Sequence, residues 1–77
     1  MNTLIKFTSV EECRYIESRL ENLGYVKGTY YKDVDIIESE INTIGILKNG
    51  TFQLFSFTKC DECTTIEQFL ENYENFT

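Results

Sequence analysis

Histidine is absent from this chain of 77 residues, and no glycine-rich phosphate loop occurs in it. Histidine is the commonest general base and a frequent metal ligand, so its absence removes the usual starting point for both kinds of site. No serine or threonine has an evident activating partner in the sequence. We therefore expect a protein that is not an enzyme and that needs no cofactor.

Basic residues are also scarce, since seven lysines and arginines stand against thirteen aspartates and glutamates and give a net charge of −6. A nucleic-acid-binding protein normally shows a basic stripe, and an anionic membrane attracts the same kind of segment. No apolar run approaches the ~18 residues of a membrane span, and the N-terminus lacks the pattern of a secretory signal. We expect one cytoplasmic domain over 1–77, with no nucleic acid and no membrane as partner.

Cysteine is limited to three residues, and without a secretory signal we expect all three thiols to be reduced. Cys60 and Cys63 precede a predicted helix, so they are weak candidates for a redox dithiol or for half of a zinc site. A zinc site needs further ligands, and Asp61 and Glu62 disfavour a reactive thiolate. We favour structural or incidental cysteines with no metal, and Cys13 as a small core residue.

The termini of two helices are marked by capping signals. Ser9 to Glu12 is a capping box, apolar residues then recur at helical spacing, and Gly24 suits the left-handed position after a helix, which predicts helix 1 over 10–23. Thr64 to Glu67 is a second capping box, which predicts helix 2 over about 65–75. The stretch before helix 1, residues 3–8, predicts a strand.

Residues 25–40 carry weaker signals. Gly28 to Lys32 is rich in β-forming residues, and Val34 and Ile36 alternate with two aspartates, which favours a second strand. The acidic residues of 33–40 lack the glycine and the terminal glutamate of a calcium-binding loop, so we interpret them as solvated.

Asn49-Gly50 between two apolar runs is the clearest feature of the chain, because this dipeptide is a strong hairpin signal. A three-residue loop with Gly50 in the left-handed position pairs Ile46 with Phe52 and Ile44 with Leu54, which puts the four side chains on one face. A two-residue loop would mix the faces, so burial favours the first register. The opposite face then reads Ile41, Thr43, Gly45, Leu47, Thr51, Gln53, Phe55 and Phe57.

Together these elements predict an α+β two-layer sandwich with the order β-α-β-β-β-α, in which two helices cover a three- to four-stranded antiparallel sheet. The strand, the capped helix ending in Leu-Gly-Tyr, the Asn-Gly hairpin and the short last helix form a pattern that resembles small accessory proteins encoded by phages. The residues that match are Ile5 to Phe7, Glu11-Glu12, Leu20 to Tyr25 and Thr65 to Leu70. The resemblance implies no catalytic residues, and some phage proteins of this size bind and block host proteins.

Aromatic and acidic residues are the candidates for a partner-binding surface. Aromatic side chains often dominate interfaces, and the unbalanced acids of residues 60–77 suit a partner with a basic groove. The candidate residues are Tyr30, Tyr31, Phe55, Phe57, Glu67, Glu71 and Glu74.

The function expected from the sequence is that of a small acidic binding protein which inhibits or modulates a host protein in the host cytoplasm. A narrower form of this hypothesis is DNA mimicry, in which carboxylates of helix 2 replace phosphates. The alternatives are a homodimeric structural module and a small-ligand-binding protein.

Overall fold

The computed structural model describes the backbone of residues 3–76 and the side chains of residues 3–73. Within that range the fold is α+β, as the sequence predicts. The elements in chain order are β1 (Thr3–Lys6), α1 (Val10–Asn22), β2 (Val26–Lys27), α2 (Asp33–Glu38), β3 (Thr43–Ile46), β4 (Thr51–Phe55) and α3 (Ile66–Phe76).

The four described strands form one mixed sheet with the order β1-β3-β4-β2. β3 is antiparallel to both β1 and β4, whereas β2 is parallel to β4. The prediction of an antiparallel sheet with two helices is therefore wrong. The chain runs β-α-β-α-β-β-α instead, because α1 carries it from one edge of the sheet to the other and parallel strands need such a crossover.

The register of the β3–β4 hairpin is confirmed. Ile46 pairs with Phe52 and Ile44 with Leu54, and Gly50 adopts a φ of 87° in the three-residue loop. All four paired side chains are buried, as the argument from burial requires. The core around them also receives Ile5, Phe7, Cys13, Ile16, Leu20, Ile36 and Ile66.

Helix α1 begins and ends as its sequence signals predict. The Ser9 hydroxyl accepts a hydrogen bond from the Glu12 N–H at 3.1 Å, and the Glu12 carboxylate accepts one from the Thr8 N–H at 3.0 Å. At the other end Gly24 adopts a φ of 99°, and the Tyr25 N–H donates to the Leu20 carbonyl at 3.1 Å. This last bond completes a Schellman motif, which satisfies carbonyls that the helix end leaves free.

Helix α2 replaces the strand that alternation predicted over Val34 and Ile36. Ile36 is buried, and Asp33 and Asp35 lie in the first turn of the helix, where carboxylates stabilise the positive end of the helix dipole. A pattern of only four alternating residues fits one turn of helix equally well when a single apolar side chain faces the core. The prediction of a second strand at 28–36 is therefore wrong, and β2 lies earlier in the chain.

The cap of α3 lies one residue later than predicted. Thr64 forms a parallel bridge at the outer edge of β1, where its N–H donates to the Leu4 carbonyl at 2.8 Å. The N-terminal cap is therefore Thr65, whose hydroxyl accepts from the Gln68 N–H at 3.2 Å. No helix described in residues 3–76 combines the length and apolar character that crossing a membrane requires.

The cap at Ser9 provides a test of the fold. Ser9→Ala removes the hydroxyl that accepts from the Glu12 N–H, and we expect it to lower the free energy of unfolding by about 1 kcal/mol. Urea denaturation followed by circular dichroism measures this difference. The matched control is Ser18→Ala in the exposed middle of α1, which should leave stability unchanged or slightly higher. Equal effects at the two positions would contradict the cap.

Candidate partner-binding site

Helix α2 is held against α1 by the guanidinium group of Arg14. Arg14 donates from Nη2 to the Tyr31 carbonyl at 2.6 Å and to Asp33 Oδ1 at 2.8 Å, and from Nε to the same Asp33 oxygen at 3.1 Å. A six-residue helix is too short to be stable alone in water. These bonds and the burial of Ile36 therefore determine where α2 lies.

The other side of Arg14 contacts a buried carboxylate. Glu17 lies within the protein and accepts from Arg14 Nη1 at 2.8 Å, while Lys27 Nζ is 3.5 Å from the same oxygen. The hydrogen bond to Glu17 is the largest influence that raises the pKa of Arg14 above its ordinary value, so the guanidinium stays charged. A buried carboxylate without a neighbouring cation is costly, so the pairing of Glu17 with Arg14 is strongly favoured. Arg14 is therefore held by Glu17 on one side and by Asp33 and the Tyr31 carbonyl on the other.

The outer face of α2 presents apolar side chains to solvent. Ile36 is only 2% exposed, but Val34 is 52% and Ile37 66% exposed. Val34 and Ile37 are three positions apart and therefore lie on the same side of the helix. A six-residue helix thus anchors itself with one apolar residue and exposes two others.

An open cleft of about 380 Å³ lies beside Ile37. It runs between the start of α1 and the segment that follows α2. Its size falls in the lower part of the range that is usual for binding sites. Its lining is Phe7, Thr8, Ser9, Val10, Ile36, Ile37, Glu40, Ile41 and Asn42. We call Val34, Ile37 and this cleft together the α2 surface.

Glu40 lies at the end of the α2 surface in an unusual backbone conformation. It has a φ of 52°, and among the described residues no other non-glycine residue has a positive φ. The Glu40 N–H donates to the Ile37 carbonyl at 3.2 Å, and the Ile41 N–H donates to the Ile36 carbonyl at 3.0 Å. Glu40 therefore fills the left-handed position of a Schellman motif, where glycine is usual and other residues are strained.

The second face of the sheet carries part of the predicted aromatic surface. The Phe55 and Phe57 rings lie 5.8 Å apart, and the Asn42 amide holds the Phe57 backbone by two hydrogen bonds. Phe55 is half-buried over Gly45, whereas Phe57 is 36% exposed. The expectation that Ile41 joins this face is wrong, because its side chain packs against the core and lines the α2 surface.

The two candidate tyrosines have different environments. Tyr30 is 80% exposed, and Lys27 Nζ lies 5.1 Å from the centre of its ring. Tyr31 is half-buried and packs against the core, and its carbonyl accepts a hydrogen bond from Arg14. Only one of the two rings is therefore free to contact a partner with most of its surface.

The acidic candidates lie on a different element, α3. Glu67 and Glu71 are exposed, and the last turn of the helix contains no basic residue. Glu74, the third candidate, lies outside the described side chains. Of the seven candidate residues, only Phe55 and Phe57 are brought together by a described contact.

Two of the three cysteines form a disulfide, so the expectation of reduced thiols is wrong for them. Cys60 and Cys63 are joined across a tight turn with their Cα atoms 5.5 Å apart. Among the described side chains, no group of three or more metal-ligating residues occurs. Burial raises the pKa of the Cys13 thiol to about 12, with Glu17 adding to the effect, so Cys13 stays protonated at neutral pH.

The α2 surface is the feature that the sequence interpretation missed. Val34 and Ile37 are spaced by three, which is an apolar pair at helical spacing, and this signal was available in the printed sequence. It was outweighed by the alternation of Val34 and Ile36, which fits a strand. Comparison with family models, with curated proteins and with solved structures finds no match.

The strain at Glu40 predicts a stabilising substitution. Glu40→Gly removes the side chain from the left-handed position, and we expect the free energy of unfolding to rise by about 1 kcal/mol. The control is Glu38→Gly at the last residue of α2, which should lower stability because glycine is unfavourable at a position with helical backbone angles. Urea denaturation of both variants measures the difference, and a destabilised Glu40→Gly variant would contradict the assigned conformation.

The disulfide should contribute little to stability because it closes a loop of only four residues. We expect reduction, or the double substitution of Cys60 and Cys63 by serine, to lower the free energy of unfolding by at most about 2 kcal/mol. The near-ultraviolet circular dichroism of the folded chain should persist apart from any signal of the disulfide itself. Complete unfolding in a thiol reductant would show that the bond is essential.

Proposed function

We propose that this chain is a binding protein that occupies and modulates a protein partner and catalyses no reaction. The observation that carries the proposal is the α2 surface, on which Val34 and Ile37 are more than half exposed beside an apolar cleft. Taking a side chain of this size from full exposure to full burial contributes about 1.5–3 kcal/mol, and Val34 and Ile37 still have between half and two thirds of that surface to bury. Two such residues on one short helix are therefore a substantial source of binding energy.

The conformation of Glu40 supports the same proposal. A non-glycine residue in the left-handed region costs about 1–2 kcal/mol, and such costs are concentrated at functional sites. In this chain the strained residue lines the cleft next to Ile37. Glycine would be less strained at this backbone position than the glutamate that occupies it.

The biological setting is proposed from the sequence. The resemblance to small phage accessory proteins implies a host protein as the target and inhibition in the host cytoplasm as the effect. The structure contains the Cys60–Cys63 bond, whereas a cytoplasm keeps thiols reduced, so this setting requires that the chain folds without the bond, as its small expected contribution to stability predicts. DNA mimicry is a narrower version of the proposal and would use the exposed carboxylates of Glu67 and Glu71.

A second candidate function is self-association through the other face of the sheet. It assumes the two-layer arrangement, with the helices on one side and the Phe55–Phe57 pair on the other. The partial exposure of Phe57 favours it, since an aromatic ring in water gains from burial. Phe57→Asp should then convert a dimer into a monomer in sedimentation experiments while the helix content stays constant.

A capture experiment with matched variants tests the first proposal. The chain is immobilised and exposed to lysate of candidate host bacteria, and bound proteins are identified by mass spectrometry. Ile37→Gln removes an exposed apolar side chain, so a specific partner should be lost. Tyr15→Gln is the control, because Tyr15 is 50% exposed on the solvent side of α1 and should not affect capture. The same proteins captured by all three chains would contradict the proposal.

A further inference from the structure

The charge around the α2 surface restricts what can bind there. Residues 33–40 contain four acidic residues and no basic one. Asp33 is paired with Arg14, whereas Asp35, Glu38 and Glu40 are exposed and form no ion pair among the described side chains. Lys32, the exposed residue that caps α2, offsets one of these three charges, so the two exposed apolar residues of α2 lie in a segment with an excess of negative charge.

We infer that the α2 surface binds a cationic amphipathic helix of another protein, an inference that rests on the proposed binding function. Apolar residues of such a helix, spaced by three or four, would contact Val34 and Ile37 and enter the cleft. Its lysines and arginines would flank the apolar stripe and lie near Asp35, Glu38 and Glu40. An amphipathic helix in an apolar groove is a common mode of recognition, and complementary charge sets its specificity and association rate.

Charge argues against the other occupants of this surface. A symmetric dimer through α2 would bring two copies of the same acidic segment together, because a two-fold interface places each patch against itself. An anionic membrane or a nucleic acid would meet the same repulsion. A neutral apolar peptide would bury Val34 and Ile37 but would gain no attraction from the nearby carboxylates, which a cationic helix would gain.

The probes for this inference are three synthetic 18-residue peptides of simple composition. The first is built of leucine and lysine and forms an amphipathic helix. The second has the same composition in a scrambled order without an apolar face, and the third replaces every lysine by glutamate. Binding to the full chain is measured by fluorescence anisotropy of the labelled peptides at 50 mM and 300 mM NaCl.

We expect the amphipathic lysine peptide to bind about tenfold or more tightly than the scrambled one, since the apolar contacts contribute only when they share a face. The glutamate peptide should not bind. Raising the salt concentration should lower the affinity for the lysine peptide, because salt screens the attraction between exposed charges. If the scrambled peptide binds as tightly as the amphipathic one, the inference is overturned, because net charge alone would then explain the binding.

Variants of the chain locate the binding site. Val34→Gln and Ile37→Gln should each lower the affinity for the lysine peptide about tenfold, whereas Tyr15→Gln should leave this affinity unchanged. Glu67→Gln with Glu71→Gln removes two carboxylates of α3 and should nevertheless have a much smaller effect on binding than Ile37→Gln, which removes no charge. If the α3 double variant loses binding and Ile37→Gln does not, the assignment of the site to α2 is overturned.

Two further outcomes separate this inference from the proposed function. If no lysine peptide binds but a captured protein still depends on Ile37, the occupant is of another kind and the binding function stands. If neither the peptide nor any captured protein depends on Ile37, both proposals fail. A concentration-dependent dimer that Ile37→Gln abolishes would show that a second copy occupies the surface, and this would also overturn the inference.

Discussion

The contacts of Arg14 are the interaction on which the rest of the account depends. One guanidinium group joins a buried carboxylate on α1, the carboxylate at the start of α2 and the backbone just before that helix. Helix α2 has no side-chain cap and only six residues, so it has little stability of its own. Without Arg14, Glu17 would be left with Lys27 as its cation, and the burial of Ile36 would be the main contact that holds α2 and its exposed residues Val34 and Ile37 in place.

The same arrangement separates the part of the chain that provides stability from the part available for binding. The hairpin and α1 form a core whose largest side chains are fully buried, and both are closed by ordinary caps and turns. Around α2, by contrast, the chain exposes apolar side chains, concentrates negative charge and places Glu40 in a strained conformation. Departures of this kind from local rules are typical of functional sites, since folding alone does not favour them.

The sequence predicted the features that depend on local chemistry or on burial. The hairpin register followed from requiring four apolar side chains on one face, and the ends of α1 followed from Ser9 and Gly24. The direction of β2 and the helical state of residues 33–38 did not follow, because both depend on contacts between residues far apart in the sequence. Strand β2 pairs with β4, and Asp33 accepts from Arg14. The candidate site was missed because the alternation of Val34 and Ile36 outweighed the helical spacing of Val34 and Ile37, and the aromatic residues chosen instead are only partly brought together.

The central claim is that a partner occupies the α2 surface and not the sheet or α3. Hydrogen exchange of the chain, free and in complex with a protein captured in the lysate experiment, tests it most directly, because amides protected by a partner exchange more slowly. The account requires slower exchange over residues 33–42 and at the start of α1, with residues 55–57 and 66–73 unchanged. Protection confined to residues 55–57 or 66–73 would contradict it.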